Sequence, residues 1–407
     1  MKILSEFETG FVEDPNNFVQ IQPVEPGKST GLLTDEGNVL PLNEKNKLPL
    51  TFTPFTLRGV TFNNRMIVSP MCTYSCQDGF LNDWHIAHYG SFSLHSPGGI
   101  IVEATGVQSN GRISIYCNGI WKDEHIAPHK KVVNVVKRHN VKIGIQLCHA
   151  GRKASSMAPW MEGGYVAGNN IGGWPDNVVG PSAIAFSDNT PVPRELSVEE
   201  IHELIEDFGK AAIRADKAGY DFIELHGAHG YLISEFLSPN SNRRTDEYGG
   251  SFENRIRFAV EVCKKVRSVL SDHKPLWVRL SCTEWVEDGW DINDTVKLAT
   301  VLKEIGVDFI DCSSGGISSH QVVKPAKLYQ VPFAEQVRNQ AKIPTGAVGI
   351  ITKSQEIESI LQDGKADLIL AARQFLREPS FTKRVAHEMR VEMKWVTQYE
   401  RGRFNRL

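Results

Sequence analysis

From about residue 50 the chain alternates between two textures. Short runs of apolar, β-branched residues fit strands, and longer stretches with apolar positions every three to four residues fit amphipathic helices. Eight runs read as strands: 66–69, 100–104, 143–147, 222–225, 277–280, 309–312, 345–348 and 368–371. Helical patterns fall near 84–95, 125–139, 197–218, 251–271, 292–305, 332–340, 354–362 and 379–393. Ser197 and Glu200 have the spacing of a capping box, and Asp291 and Ser354 are expected N-caps. Gly219 and Gly306 stand where helices should stop.

Eight strand–helix units in series predict a parallel sheet with helical crossovers. An open, doubly wound sheet would satisfy the alternation. Eight repeats in about 330 residues fit a closed α/β fold better, a single (β/α)8 TIM barrel. Strands that are apolar throughout fit burial on both faces. We therefore expect a barrel over 50–395, an irregular N-terminal extension over 1–49 and a C-terminal tail over 396–407. The segment 152–195 breaks the repeat; it is rich in Gly and Pro and holds Trp160, Tyr165 and Trp174. It reads as a long loop after strand three, and loops of that length are normally functional.

Composition narrows the class without naming a function. Lys and Arg number 45 against 48 Asp and Glu, a net charge of −3, and 41% of residues are hydrophobic. That is a globular chain with no field to attract nucleic acid or an anionic bilayer. No run approaches the roughly 18 apolar residues of a membrane span. The seven cysteines are scattered and never paired as C-x-x-C. This argues against a disulfide scaffold, a zinc ribbon or a cysteine-bound iron–sulfur cluster. With no visible signal peptide, a cytoplasmic location is expected.

In such a barrel the active site lies at the C-terminal ends of the strands. Strand one leads into Ser69-Pro70-Met71-Cys72-Thr73-Tyr74, which sets a thiol and a phenol two residues apart in an extended segment. Strand two ends in Glu103-Ala104-Thr105-Gly106, whose small residues leave room for a flat group. Gln146 on strand three offers both donor and acceptor. Strand four ends in His226-Gly227-Ala228-His229-Gly230-Tyr231. Two histidines three apart suit a metal or a pair of donors to a substrate oxygen, and Tyr231 suits a proton donor. No third ligand stands at convincing spacing, so no metal is expected. His85 and His88, on the helix near 84–95, read as structural. Arg279 sits within an apolar strand, which is costly unless a carboxylate such as Glu224 or an anionic ligand pairs it. Gly349 after strand seven and Arg373 after strand eight fit a phosphate site. No G-x-G-x-x-G or Walker sequence is present.

Taken together the chain resembles the Old Yellow Enzyme family, FMN-dependent ene-reductases of the NADPH dehydrogenase type, in its bacterial-type "thermophilic-like" branch. The resemblance covers about residues 50–403. Its motifs are Asn64-Arg65-Met66-Ile67-Val68-Ser69-Pro70-Met71-Cys72-Thr73-Tyr74, Gln146-Leu147-Cys148-His149-Ala150-Gly151-Arg152-Lys153, and His226-Gly227-Ala228-His229-Gly230-Tyr231-Leu232. Arg244-Thr245-Asp246-Glu247-Tyr248-Gly249-Gly250, Asp311-Cys312-Ser313-Ser314-Gly315 and Gln398-Tyr399-Glu400-Arg401-Gly402 complete the set.

The resemblance implies non-covalent FMN, NADPH or NADH as reductant, and reduction of C=C bonds activated by a carbonyl or nitro group. It implies that Ser69, Pro70, Met71, Cys72 and Ala104 line the flavin. Gln146 would read the pyrimidine edge, Arg279 would face N1, and Gly349, Ala372 and Arg373 would hold the phosphate. His226 and His229 would bind the activating oxygen, Tyr231 would give the proton, Tyr74 would touch substrate, and Cys72 would tune the flavin. Arg401 would reach a neighbouring subunit's site, in a homodimer or homotetramer. The chain departs from the pattern at residues 1–49, in a longer loop around 157–180, at Ala372 where glycine is usual, and beyond Gly402. Two rival readings remain. One is the larger dienoyl-CoA reductase or amine dehydrogenase type, which adds an iron–sulfur cluster. The other is a flavoprotein redox sensor or phenol-binding protein.

Overall fold

The computed structural model describes residues 25–161 and 166–404. Eight parallel strands close into a barrel: β1 (Met66–Val68), β2 (Gly99–Gly106), β3 (Lys142–Cys148), β4 (Phe222–Gly227), β5 (Leu276–Ser281), β6 (Phe309–Ser313), β7 (Thr345–Ala347) and β8 (Leu368–Ala371). Each pairs with its sequence neighbours, and β8 closes on β1 with Ile369 opposite Met66 and Ala371 opposite Val68. Nearly every residue of these strands is buried, as burial on both faces requires.

The helix signals mostly act as expected. Ser197 and Glu200 form the reciprocal capping box of Val198–Ala218, which Gly219 ends in the left-handed conformation at φ 95°. Asp291 accepts the amides of Asn293 and Asp294. Ser354 is a correction: it is the first residue of its helix, not the cap. The Glu356 carboxylate takes the Thr352 and Lys353 amides there instead.

Two hairpins and a short ladder were not expected. Phe55–Leu57 and Val60–Phe62 form a hairpin at the N-terminal end of the barrel. Its Phe62 joins a buried aromatic cluster, with ring centroids 5.5 Å apart for Phe62–Phe222, 4.4 Å for Phe222–Trp277 and 4.1 Å for Trp277–Phe309. This cluster fills the end of the barrel opposite the strand C-termini, so the site opens at the C-terminal end. Residues 25–49, expected to be irregular, contain a second hairpin. Ser29–Leu33 pairs antiparallel with both Val39–Pro41 and Val391–Met393. The expected helix over 379–393 accordingly stops at Glu388 and turns back as a strand. The rest of the N-terminal extension, Tyr165 and the last residues of the tail lie outside the described residues. The long loop is not structureless: Val179–Gly180 and Arg194–Glu195 form a short parallel ladder.

The tail packs on Lys383, which is buried without a hydrogen-bond partner. Its Nζ lies 3.8 Å from the centre of the Trp395 ring and 5.3 Å from that of Tyr399. Burial pulls its pKa down to about 7, so between about 7 and 10.5 the unfolded chain holds a proton that the folded chain does not. The stability this group contributes is full above 10.5 and is lost as the pH falls toward 7. Lys383→Met should therefore raise the melting temperature at pH 7 and lose that advantage by pH 10.5. An equal effect at both pH values would contradict this.

Candidate active site

The strand ends bring most of the expected residues to one mouth. Ser69, Ala104, Gln146, His226 and Arg279 are buried there, while Met71, Cys72, Tyr74, His229 and Tyr231 are half-buried. Cys72, Tyr74, Ala104 and Tyr231 share an apolar cluster with Cys117 and Cys148. The Cys72 thiol is pushed well up by its hydrogen bond with Cys117 and by burial. It is a protonated thiol, not a reactive thiolate.

Strand β4 ends in a turn that presents the histidines. The Ala228 amide donates to His226 Nδ1 at 3.3 Å, so the neutral ring carries its proton on Nε2. His229 sits at φ 61°, a left-handed conformation rare outside glycine, and its placement is over-determined. Its amide donates to Ser281 Oγ at 2.8 Å, its Nε2 is 2.7 Å from Ser313 Oγ, and Lys153 Nζ donates to its carbonyl at 2.9 Å. The imidazole centroids are 5.1 Å apart, and Tyr231 is 4.9 Å from His226. Burial, and then the Arg279 charge, hold both histidines well below their ordinary pKa. At neutral pH they are uncharged hydrogen-bond donors.

Deeper in the barrel, Arg279 pairs with Asp311 at 3.0 Å rather than with Glu224. In the sheet register Arg279 lies opposite Asp311, whereas Glu224 lies opposite Gln146 and Trp277. Glu224 accepts from Gln146 Nε2 at 2.8 Å. Gly349 is buried at φ 127°, and Arg373 is exposed at the start of Arg373–Arg377, on the adjacent strand end. Ala372 has a φ of −104°, so the left-handed conformation that favours glycine is not required there. Arg401 stands apart, exposed on the C-terminal turn Thr397–Gly402.

Several residues escaped sequence reasoning. Glu103 accepts from the Thr73 amide at 2.5 Å and the Thr73 hydroxyl at 2.8 Å, which fixes the loop holding Cys72 and Tyr74. Lys153 lies over the Tyr231 ring at 5.0 Å. Its pKa is lowered to about 8, chiefly by burial. With Tyr74, Tyr231, Ile113, Met157 and Met161 it lines a cleft of about 390 Å³. His85 is structural: its Nδ1 accepts the Asn82 amide, and its Nε2 is 3.4 Å from Glu103.

A (β/α)8 barrel with uncharged imidazole donors, a phenol and a buried arginine at its strand C-termini has a site suited to stabilising negative charge and moving a proton, and its relatives are barrel oxidoreductases. Residues 50–392 match the NADH:flavin oxidoreductase / NADH oxidase family. The chain is 47% identical over 353 residues to the NADPH dehydrogenase of Bacillus subtilis, covering 86% of this chain and 98% of that one. It is 45% identical over 364 residues to an NADH:flavin oxidoreductase of Gibberella zeae, covering 86% and 88%. Among solved structures, morphinone reductase superposes with a TM-score of 0.70 at 28% identity, covering 84% of this chain and 90% of that one. The chain belongs to the NADH:flavin oxidoreductase / NADH oxidase family, the Old Yellow Enzymes. It is an NAD(P)H-dependent flavin oxidoreductase of the ene-reductase type, with FMN as cofactor. Among the described residues no helix is long and apolar enough to cross a membrane.

Proposed function

We propose that this enzyme reduces C=C bonds conjugated to a carbonyl or nitro group, as in enones, maleimides and nitroalkenes. The observation that carries the reading is the His226 tautomer: with Nδ1 taken by the Ala228 amide, Nε2–H is a donor. His226 and His229 bind the activating oxygen and stabilise the negative charge that gathers on it. Tyr231 gives its phenolic proton to the α-carbon, and Lys153 above the ring eases that loss by its charge. Tyr74 and the methionine-lined cleft hold the remainder of the substrate.

Bound FMN supplies the hydride. Buried polar atoms suit its ring: Ser69 Oγ and Glu224 Oε2 have no partner in the protein. Ser69, Pro70, Met71, Cys72 and Ala104 would line the ring, Gln146 its pyrimidine edge, and Arg279 its N1 side. Gly349, Ala372 and Arg373 would hold the phosphate. We read the exposed Arg401 as reaching a neighbouring site in a homodimer or homotetramer, and the seven free thiols as fitting the cytoplasm. The redox-sensor alternative is weakened by the Cys72 thiol, which its surroundings keep protonated.

The test is a purified, FMN-loaded enzyme reduced with NADPH or NADH under anaerobic conditions and then offered the three alkene classes. Rapid reoxidation by at least one class, with the saturated product, is the expected result. Reduction by nicotinamide followed by no reoxidation with any of them would sink the proposal.

A further inference from the structure

The buried polar layer of the barrel holds two carboxyl groups and one guanidinium. Arg279 pairs with Asp311 at 3.0 Å; its charge also acts on Glu224, but among the described residues no ion pair joins those two. Glu224 is fully buried and touches Gln146 through one oxygen, while the other has no partner in the protein. Glu224 Oε1 accepts from Gln146 Nε2, so the amino side of the Gln146 amide faces the carboxyl group. Gln146 then has its carbonyl and one N–H left over. That pair is complementary to a cyclic imide edge, a carbonyl beside an N–H, such as the flavin pyrimidine ring carries. Flipped, Gln146 would turn its carbonyl toward Glu224, lose the Nε2–Oε1 hydrogen bond and show only donors to the ring.

We propose that Glu224 is a positioning residue, orienting Gln146 for the imide edge of the flavin and linking the redox state of that ring to proton uptake. The inference rests on the reading of Gln146 as the pyrimidine contact. The groups facing Glu224 are Gln146 from β3, Arg279 from β5 and Asp311 from β6. Burial, then the Asp311 charge, raises its pKa to about 8, so it is protonated at neutral pH. The reduced form of the cofactor would place negative charge beside this carboxyl, which would favour its protonated form further. Above about pH 8 reduction therefore draws one additional proton from solvent onto Glu224, and the midpoint potential falls more steeply with pH.

The experiment reconstitutes the apoprotein with FMN and with its N3-methyl analogue, and follows the FMN midpoint potential from pH 6 to 10. Wild type should bind FMN more tightly than the analogue by about tenfold, the effect of one hydrogen bond. Glu224→Ala should lose most of that preference. Glu224→Gln, whose amide oxygen still accepts from Gln146, should keep it but lose the extra steepness above pH 8. Undiminished preference in Glu224→Ala, or a wild-type pH profile in Glu224→Gln, overturns the proposal. If Glu224→Ala does not fold, the Glu224→Gln profile decides alone. Wild type that binds no FMN would instead overturn the flavin site itself.

Discussion

Replacing both His226 and His229 with alanine is expected to slow reoxidation of the reduced enzyme by an enone by about 10³-fold. Loss of a single preorganised donor to a developing oxyanion typically costs about 10²–10³-fold, and two donors to one oxygen act as a unit. The rings are neutral because burial and the nearby Arg279 charge resist protonation. The wild-type rate should therefore show no histidine inflection above pH 6.5. Phenol binding should weaken in parallel, read as loss of the long-wavelength charge-transfer band. A double variant that reoxidises at the wild-type rate and keeps the band would remove these residues from the oxygen site.

Tyr231→Phe should cost about 100-fold in the same step while flavin reduction by NADPH persists, in line with the usual 10²–10⁴-fold for a positioned proton donor. A second signature comes from Lys153. Its ammonium lies over the phenol ring and favours the charge that Tyr231 gains on giving up its proton. Lys153 is charged below about pH 8 and neutral above it, so the wild-type step should slow as the pH rises through 8. Tyr231→Phe has no phenol to assist and should lose that dependence. Equal rates in both proteins, with the same pH profile, would exclude Tyr231 as the donor.

The eight barrel strands were legible because each is an apolar run, buried on two faces, followed by an amphipathic helix. The two hairpins were not. Phe55–Leu57, Val60–Phe62 and Val391–Met393 are three residues long, too short for any period to show. Their stability comes from packing and from partners hundreds of positions away. At the site, the order of residues along the strand ends was readable, since each motif is local. Partnerships across strands were not. Arg279 finds Asp311 rather than Glu224 because of barrel register, and nothing near Arg279 in the chain announces it. The same holds for Glu103 under Thr73 and for Ser281 and Ser313 around His229. Their hydroxyl and carboxylate groups are common types at unremarkable positions. Only the closed barrel makes them positioning groups.

The pairing of Ser29–Leu33 with Val391–Met393 has a consequence for how the molecule is made. Strands far apart in the chain must find each other there, as β1 and β8 must in the barrel. Until each seam closes, the strands that meet there carry open edges. Loop-closure entropy on that scale slows folding, and open edges invite pairing with other chains. The segment that carries Arg401 follows directly after Val391–Met393, so its platform depends on the seam between that strand and Ser29–Leu33.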